Sequence, residues 1–256
     1  MGIALYNIVS PLVSVVIPVY NGERYIVKTI RSVLEQTYKE VEVIVVDDAS
    51  TDRTEEKVTS FTSERVKYVK LPENRGVANA RNVGTKMAQG KYLCFLDADD
   101  LWRPEKLSRQ IDFMERTGAA FSFTGYEFAD AEARPNGKVV HVPERIGYVD
   151  ALKNTTIFTS TVMFDLEKIG KNMLMMPEIE SEYTATWWNV LKKVDFAYGL
   201  DEALSIYRRS GKSLSSNKFV AVKRIWGLYR KQEKLNVAES MKNFLGYAWH
   251  AVERRV

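Results

Sequence analysis

Val13–Ile17, Val41–Val46 and Tyr92–Leu96 are short, unbroken apolar runs with abrupt ends: Pro18 stops the first, Asp47-Asp48 the second and Asp97 the third. Continuous hydrophobicity over so few residues suits strands buried on both faces of a parallel sheet. Segments of helical spacing separate them. Ile26, Ile30, Val33 and Leu34 follow the Asn21-Gly22 turn; a short polar segment opens at Ser50-Thr51-Asp52; and Val77, Ala80, Val83 and Met87 share a face of 76–89, stopped by Gly90. With Val66–Leu71 as a further strand, strand and helix alternate four times in about 100 residues, which predicts a wound, mainly parallel sheet. Right-handed crossovers place successive strand ends on one side, where open α/β sheets bind ligands. Asp47, Asp48, Asp97, Asp99 and Asp100 are therefore expected to border one cleft.

After Trp102 the pattern changes. Pro104 opens a helix carrying Leu107, Ile111 and Met114; 119–125, 126–131 and 138–142 read as strands, with a hairpin turn at Pro135-Asn136-Gly137. Thr159–Phe164 reads as a strand, Thr184–Lys192 as a helix, and 195–200 and 203–207 as two closing strands. The expectation is an antiparallel, loop-rich half beside the parallel one. Two amphipathic helices follow from Lys218, the first with Phe219, Val222, Trp226 and Tyr229 on one face, the second with Met241, Leu245, Ala248, Trp249 and Val252.

Charge is unevenly spread. Residues 208–256 hold 12 Lys/Arg against 3 Asp/Glu, whereas the first 207 hold 25 against 30. A basic amphipathic tail carrying Trp suits either docking on the body or an anionic membrane surface through 218–256. Confinement of the net basic charge to the tail argues against a nucleic-acid partner. No apolar stretch approaches the roughly 20 residues a spanning helix needs, and the apolar N-terminus lacks the basic start of a signal peptide. Cys94, the single cysteine, lies inside an apolar run and suits a reducing compartment. The expected location is cytoplasmic, peripheral on the inner face of the membrane.

Asp97 and Asp99 offer hard oxygen ligands for Mg²⁺ or Mn²⁺, with coordination positions left for substrate phosphates. Four motifs stand in order around them: Val15-Val-Ile-Pro-Val-Tyr-Asn21, Val46-Asp-Asp-Ala-Ser-Thr-Asp52, Asn74-Arg-Gly-Val-Ala-Asn-Ala-Arg-Asn82 and Leu96-Asp-Ala-Asp-Asp100. Together they resemble the family 2 glycosyltransferases, inverting, nucleotide-sugar-dependent enzymes of the GT-A fold. The resemblance covers roughly residues 13 to 217. It implies a Rossmann-like nucleotide-sugar-binding half (1–103), an acceptor-binding half of the same domain (104–217) and an appended tail (218–256).

The resemblance also implies roles. Asp99 is the metal ligand, with Asp97 near the metal or the ribose and Asp100 either assisting or capping the Pro104 helix. Pro18, Tyr20, Asn21, Asp48 and Arg81 border the nucleotide, Asp48 accepting the imide N–H of uracil. Arg208 and Arg209 open a loop over the donor diphosphate, and Trp102 and Trp187 stack on acceptor sugar. The partners implied are a nucleotide-sugar donor, such as a UDP-sugar, and a glycan or lipid-linked acceptor. The family's general base belongs to a Glu-Asp pair; Glu182 aligns with the Glu, but Tyr183 stands where the Asp is expected. A phenol of ordinary pKa ~10 is a poor base at neutral pH. Two readings stay open: an enzyme in which Glu182 serves, or a nucleotide-sugar-binding scaffold without turnover.

Overall fold

The apolar runs become strands and the periodic segments helices. β1 (Val13–Val19), α1 (Ile26–Leu34), β2 (Val41–Asp47), α2 (Thr54–Thr59), β3 (Val66–Lys70), α3 (Val77–Met87) and β4 (Tyr92–Phe95) follow one another in a computed structural model that describes residues 10–209 and 218–253. Most of the N-terminal lead-in, residues 210–217 of the expected diphosphate loop, and the Phe219 and Val252 side chains lie outside that description.

β1, β2, β3 and β4 pair in parallel in the order β3-β2-β1-β4. Every residue of β1, β2 and β4 is buried, as their unbroken hydrophobicity requires. The β1 strand does not stop at Pro18 but runs through it, opposite Val46. Val16 bonds toward β4, its carbonyl accepting from Leu96 N at 3.0 Å. Residues of one strand alternate sides, so Pro18 also faces the β4 flank, where pairing has already ended at Phe95 and the missing N–H costs no ladder bond. α3 lies tight against β1: a Cβ on Gly84 would sit 2.3 Å from Val16 Cγ1. Glycine there lets the helix bearing Arg81 reach the sheet.

The second half comprises β5 (Leu101–Trp102), α4 (Lys106–Thr117), β6 (Phe121–Ala129), β7 (Pro135–Val140), β8 (Arg145–Ile146), α5 (Tyr148–Ala151), β9 (Met163–Asp165), α6 (Leu166–Ile169), α7 (Glu182–Leu191) and β10 (Ala197–Arg208). It extends the same sheet as β4-β9-β6-β10-β5, with β7 beside β6 and β8 beside β10. β9 joins antiparallel to β4 and β6, but β6 and β10 run parallel. The segments expected as two strands in 119–131, and again in 195–207, are each one strand. The hairpin turn lies at 130–134 rather than 135–137. There Asp130 Oδ1 accepts the N–H groups of Glu132 and Arg134, and Ala133 turns left-handed at φ 65°. The expected strand 159–164 starts as a 3₁₀ turn, Thr159–Thr161, before β9.

The tail docks on the body. Beyond α8 (Lys218–Gly227), Tyr229 of a π-helical turn (Leu228–Gln232) stacks on Trp188 at 5.7 Å and 3°, and Lys192 pairs with Glu233 at 2.7 Å. α9 (Val237–Glu253) keeps Ser240 and Asn243 buried but presents Val237, Met241, Leu245 and Trp249, four residues apart, at 58%, 48%, 64% and 67% exposure. Among the described residues no helix is long and apolar enough to cross a membrane.

Candidate active site

Parallel pairing brings the carboxyl ends of β2 and β4 to the same edge, on either side of β1. Asp47 is structural there, its carboxylate taking Ser50 N at 2.7 Å and the Tyr68 hydroxyl at 2.6 Å. Asp48 is 3% exposed and accepts the N–H groups of Arg75 and Gly76 at 3.0 and 2.7 Å, which sets the start of α3. A carboxylate offers about four acceptor sites, so two remain on Asp48. Asn21, left-handed at φ 50°, donates its N–H to Ser50 Oγ and accepts Thr51 N–H on Oδ1, both at 2.9 Å. It stitches the β1 and β2 loops together beneath the exposed ring of Tyr20, whereas Pro18 is buried within β1.

The Asp97–Asp100 turn is held from three sides. Thr29 Oγ1 donates to the Ala98 and Asp100 carbonyls at 2.8 and 2.9 Å. Ser160 Oγ accepts from Asp97 N at 3.2 Å and donates to Asp100 Oδ2 at 2.6 Å. Arg208 N donates to Asp100 Oδ1 at 3.1 Å. Asp100 is therefore a fully buried strut joining β4, the 3₁₀ turn and β10. It does not cap the Pro104 helix, which starts without a side-chain cap. Burial, then the nearby Asp99 and Asp97, hold its carboxyl well above the ordinary carboxylate range.

Asp99 stays partly exposed. Burial first, then the charge of Asp97, push its carboxyl up to about 6. Among the described residues no group of three His, Cys, Asp or Glu side chains is arranged to hold a metal. Asp99 and the free oxygen of Asp97 still fit a hard divalent ion that takes its remaining ligands from phosphates and water.

Two arginines flank these acids. Arg81, 4% exposed on α3, spans from Asp97 Oδ1 (Nη2, 2.6 Å) to Glu182 Oε1 (Nη1, 2.6 Å). Asn82 beside it exchanges two hydrogen bonds, of 2.8 and 2.7 Å, with the Met176 backbone. These contacts fix the start of α7, where Ser181 adopts φ 61°. Arg208 is 3% exposed, its guanidinium 4.4 Å over the Tyr25 ring, and Nε, Nη1 and Nη2 have no hydrogen-bond partner among the described residues. Burial holds its pKa below the ordinary arginine value, with the charge of Asp99 the largest effect opposing it. A buried guanidinium with unused donors is costly unless an anion completes it.

The expected Arg208–Arg209 phosphate pair does not form. Alternation along the chain sends Arg209 the other way, exposed and 5.4 Å over the Phe128 ring. Trp102 and Trp187 are not at an acceptor surface either. Trp102 is 3% exposed, its indole N–H on the Ser160 carbonyl at 2.7 Å and Lys106 Nζ 3.8 Å over its ring. Trp187 is 2% exposed among Phe95, Phe121 and Phe164. Both rings fill core space between sheet and helix, a role that spacing alone did not separate from sugar stacking.

A cleft of about 340 Å³ opens at the start of α7, where Ser181, Tyr183 and Thr184 line it. Three of its lining residues lie one or two positions along the chain from residues that hold the acid cluster. Phe158, Tyr183 and Tyr207 line the cleft, while Ser160, Glu182 and Arg208 hold Asp100, Arg81 and Asp100. Tyr126, Phe158 and Tyr207 pack ring to ring with centroids 4.8–6.0 Å apart. Burial and the adjacent Glu182 raise the Tyr183 phenol above its ordinary pKa, which removes it further from base duty at neutral pH. Sequence reasoning missed Tyr25, Ser160 and the aromatic cluster, since they come from separate elements and share no spacing.

Residues 14–169 match the family described as glycosyl transferase family 2. TuaG of Bacillus subtilis, described as a teichuronic acid biosynthesis glycosyltransferase, is 44% identical over 250 residues, 96% of this chain and 98% of its own. WfgD of Escherichia coli, a UDP-Glc:alpha-D-GlcNAc-diphosphoundecaprenol beta-1,3-glucosyltransferase, is 38% identical over 216 residues, 84% of each chain. Staphylococcus aureus TarS with UDP-GlcNAc superimposes with a TM-score of 0.70 at 22% identity, over 93% of this chain and 71% of that one. The Pyrobaculum calidifontis mannosyltransferase PcManGT, with GDP-Man and Mn²⁺, gives 0.71 at 18%, over 96% and 72%. At these identities the structural likeness establishes the fold, a mixed α/β GT-A sheet.

Proposed function

The chain belongs to glycosyl transferase family 2, and from that membership we propose that it transfers a sugar from a UDP-sugar to a hydroxyl of a glycan or lipid-linked acceptor, with inversion and divalent-metal assistance. The observation that carries the proposal is the buried Arg208 guanidinium, which feels the charge of Asp99 and whose nitrogens have no hydrogen-bond partner among the described residues. It supplies unused cationic donors where a diphosphate would lie, as the partly open carboxylate supplies a metal ligand. Asp99 and Asp97 would hold Mn²⁺ or Mg²⁺, which when bound neutralises charge developing on the leaving diphosphate.

In the reaction the acceptor oxygen attacks the anomeric carbon from the face opposite the diphosphate. The bond from that carbon to the phosphate oxygen breaks, its electron pair leaving with UDP. The hydroxyl proton passes to a general base, for which Glu182 is the available carboxylate. It opens α7 one residue before Tyr183 in the cleft, oriented by Arg81. Tyr20, exposed just beyond β1, would stack on the base, and Asp48 would accept the uracil imide N–H.

A peripheral station on the inner face of a membrane is part of the same reading. The stripe Val237, Met241, Leu245 and Trp249 supports it, as does the WfgD acceptor, a diphosphoundecaprenol. The test is UDP release from UDP-sugars with Mn²⁺ and glycan acceptors, together with the anomeric configuration of the product by NMR. Turnover with inversion, abolished by Asp99→Ala, is expected. No turnover across a broad donor and acceptor panel, or retention of configuration, would overturn the proposal.

A further inference from the structure

The cleft at the start of α7 is walled by the tail as well as by the body. Tyr126, Phe158 and Tyr207 form its floor, and α8 and α9 close the side with Ile225 and Tyr247. Aromatic rings lining a cleft suit the apolar faces of a pyranose. The charged side chains of the lining are Lys138, Arg209 and Arg224; no Asp or Glu is among them. Arg209 is exposed over Phe128. Arg224 is about one-quarter exposed, its Nε 3.4 Å from the carboxylate of the exposed Glu180, which is not part of the lining. The cations thus come from both walls, Arg209 from the end of β10 and Arg224 from α8.

We infer that this cleft selects an acceptor sugar bearing an oxyanion, its ring on Tyr126, Phe158 and Tyr207 and its anionic group between Arg209 and Arg224. The inference rests on the glycosyl-transfer reading and deepens it by naming the acceptor chemistry. Planar guanidinium forks match phosphate and carboxylate in two-bond geometry, and a low-dielectric aromatic floor strengthens that attraction. The tail is accordingly a specificity element, and Arg224 is its contribution to recognition. The shared chemistry is the oxyanion; its source is either a diphosphate linking the sugar to a carrier or a carboxylate on the sugar itself.

The experiment is calorimetric binding of three probes to the full chain: hexyl glucoside, hexyl glucuronide and a hexyl-diphospho-glucose. UDP with Mn²⁺ is titrated separately. Wild type is expected to bind at least one anionic probe about tenfold or more tighter than the neutral one, and whichever anion wins identifies the source. Arg224→Gln should erase that preference, Arg224→Lys should restore part of it, and UDP affinity should stay unchanged in both. Equal affinity for neutral and anionic probes, or a preference that survives Arg224→Gln, would overturn the inference. Failure of wild type to bind UDP would instead overturn the donor-site reading, and the probe titrations without UDP keep the two failures apart.

Discussion

Arg208→Met should make the free protein more stable while crippling its nucleotide site. The guanidinium is 3% exposed and its three nitrogens have no hydrogen-bond partner among the described residues. An unsatisfied buried donor costs about 1–3 kcal/mol, more for a charged group. The Tyr25 face 4.4 Å below returns roughly 0.5–2 kcal/mol, and Asp99 and Asp100 return part of the rest. Methionine keeps the stem's packing without the donors, so a net gain of about 1–3 kcal/mol is expected, or about 2–10 °C in melting midpoint. Against UDP the sign reverses. Loss of charge-assisted bonds to a diphosphate should cost about 2–4 kcal/mol, roughly 30- to 1,000-fold in affinity. Thermal melts of both proteins, with and without UDP and Mn²⁺, read both effects at once. A variant that melts lower and binds UDP as wild type does would refute the reasoning.

Other consequences follow from the same geometry. Arg81→Met strands Glu182 and Asp97, whose side chains are 10% and 28% exposed, at a cost of about 3–5 kcal/mol by denaturant unfolding; adding Glu182→Gln should recover about 1–3 kcal/mol, and strict additivity would exclude the clamp. Tyr183→Asp should raise turnover about 100-fold or more if the cleft lacks a full-strength base; an unchanged rate would leave the task with Glu182. Burial lowers the pKa of Lys106, so the unfolded chain keeps a proton the fold releases, and stability should rise with pH from the folded to the unfolded pKa. Lys106→Met should flatten that rise in alkaline unfolding titrations; an identical slope would refute it. Leu245→Glu with Trp249→Glu should cut cosedimentation with anionic vesicles by about tenfold or more while leaving the melting midpoint near wild type, since both residues are over 60% exposed. Retained binding would assign the membrane contact elsewhere.

The sequence by itself determined the parallel half of the fold and the edge at which the acids gather. Period and strand-end chemistry are local signals, and crossover handedness converts them into one cleft. Its four ordered motifs also sufficed to suggest the family. Tertiary structure decided the roles within the site. A tryptophan at helical spacing reads alike in a core or on a sugar-binding surface, and only packing buried Trp102 and Trp187. Asp97, Asp99 and Asp100 look equivalent along the chain, yet one is bonded to an arginine, one is left partly open and one is a buried strut. Strand alternation sent Arg208 and Arg209 to opposite sides, and the join of the tail to Trp188 made it a wall of the cleft. These outcomes depend on partners far apart in sequence. They are set by what each side chain meets once the sheet has closed, and no local pattern encodes that meeting.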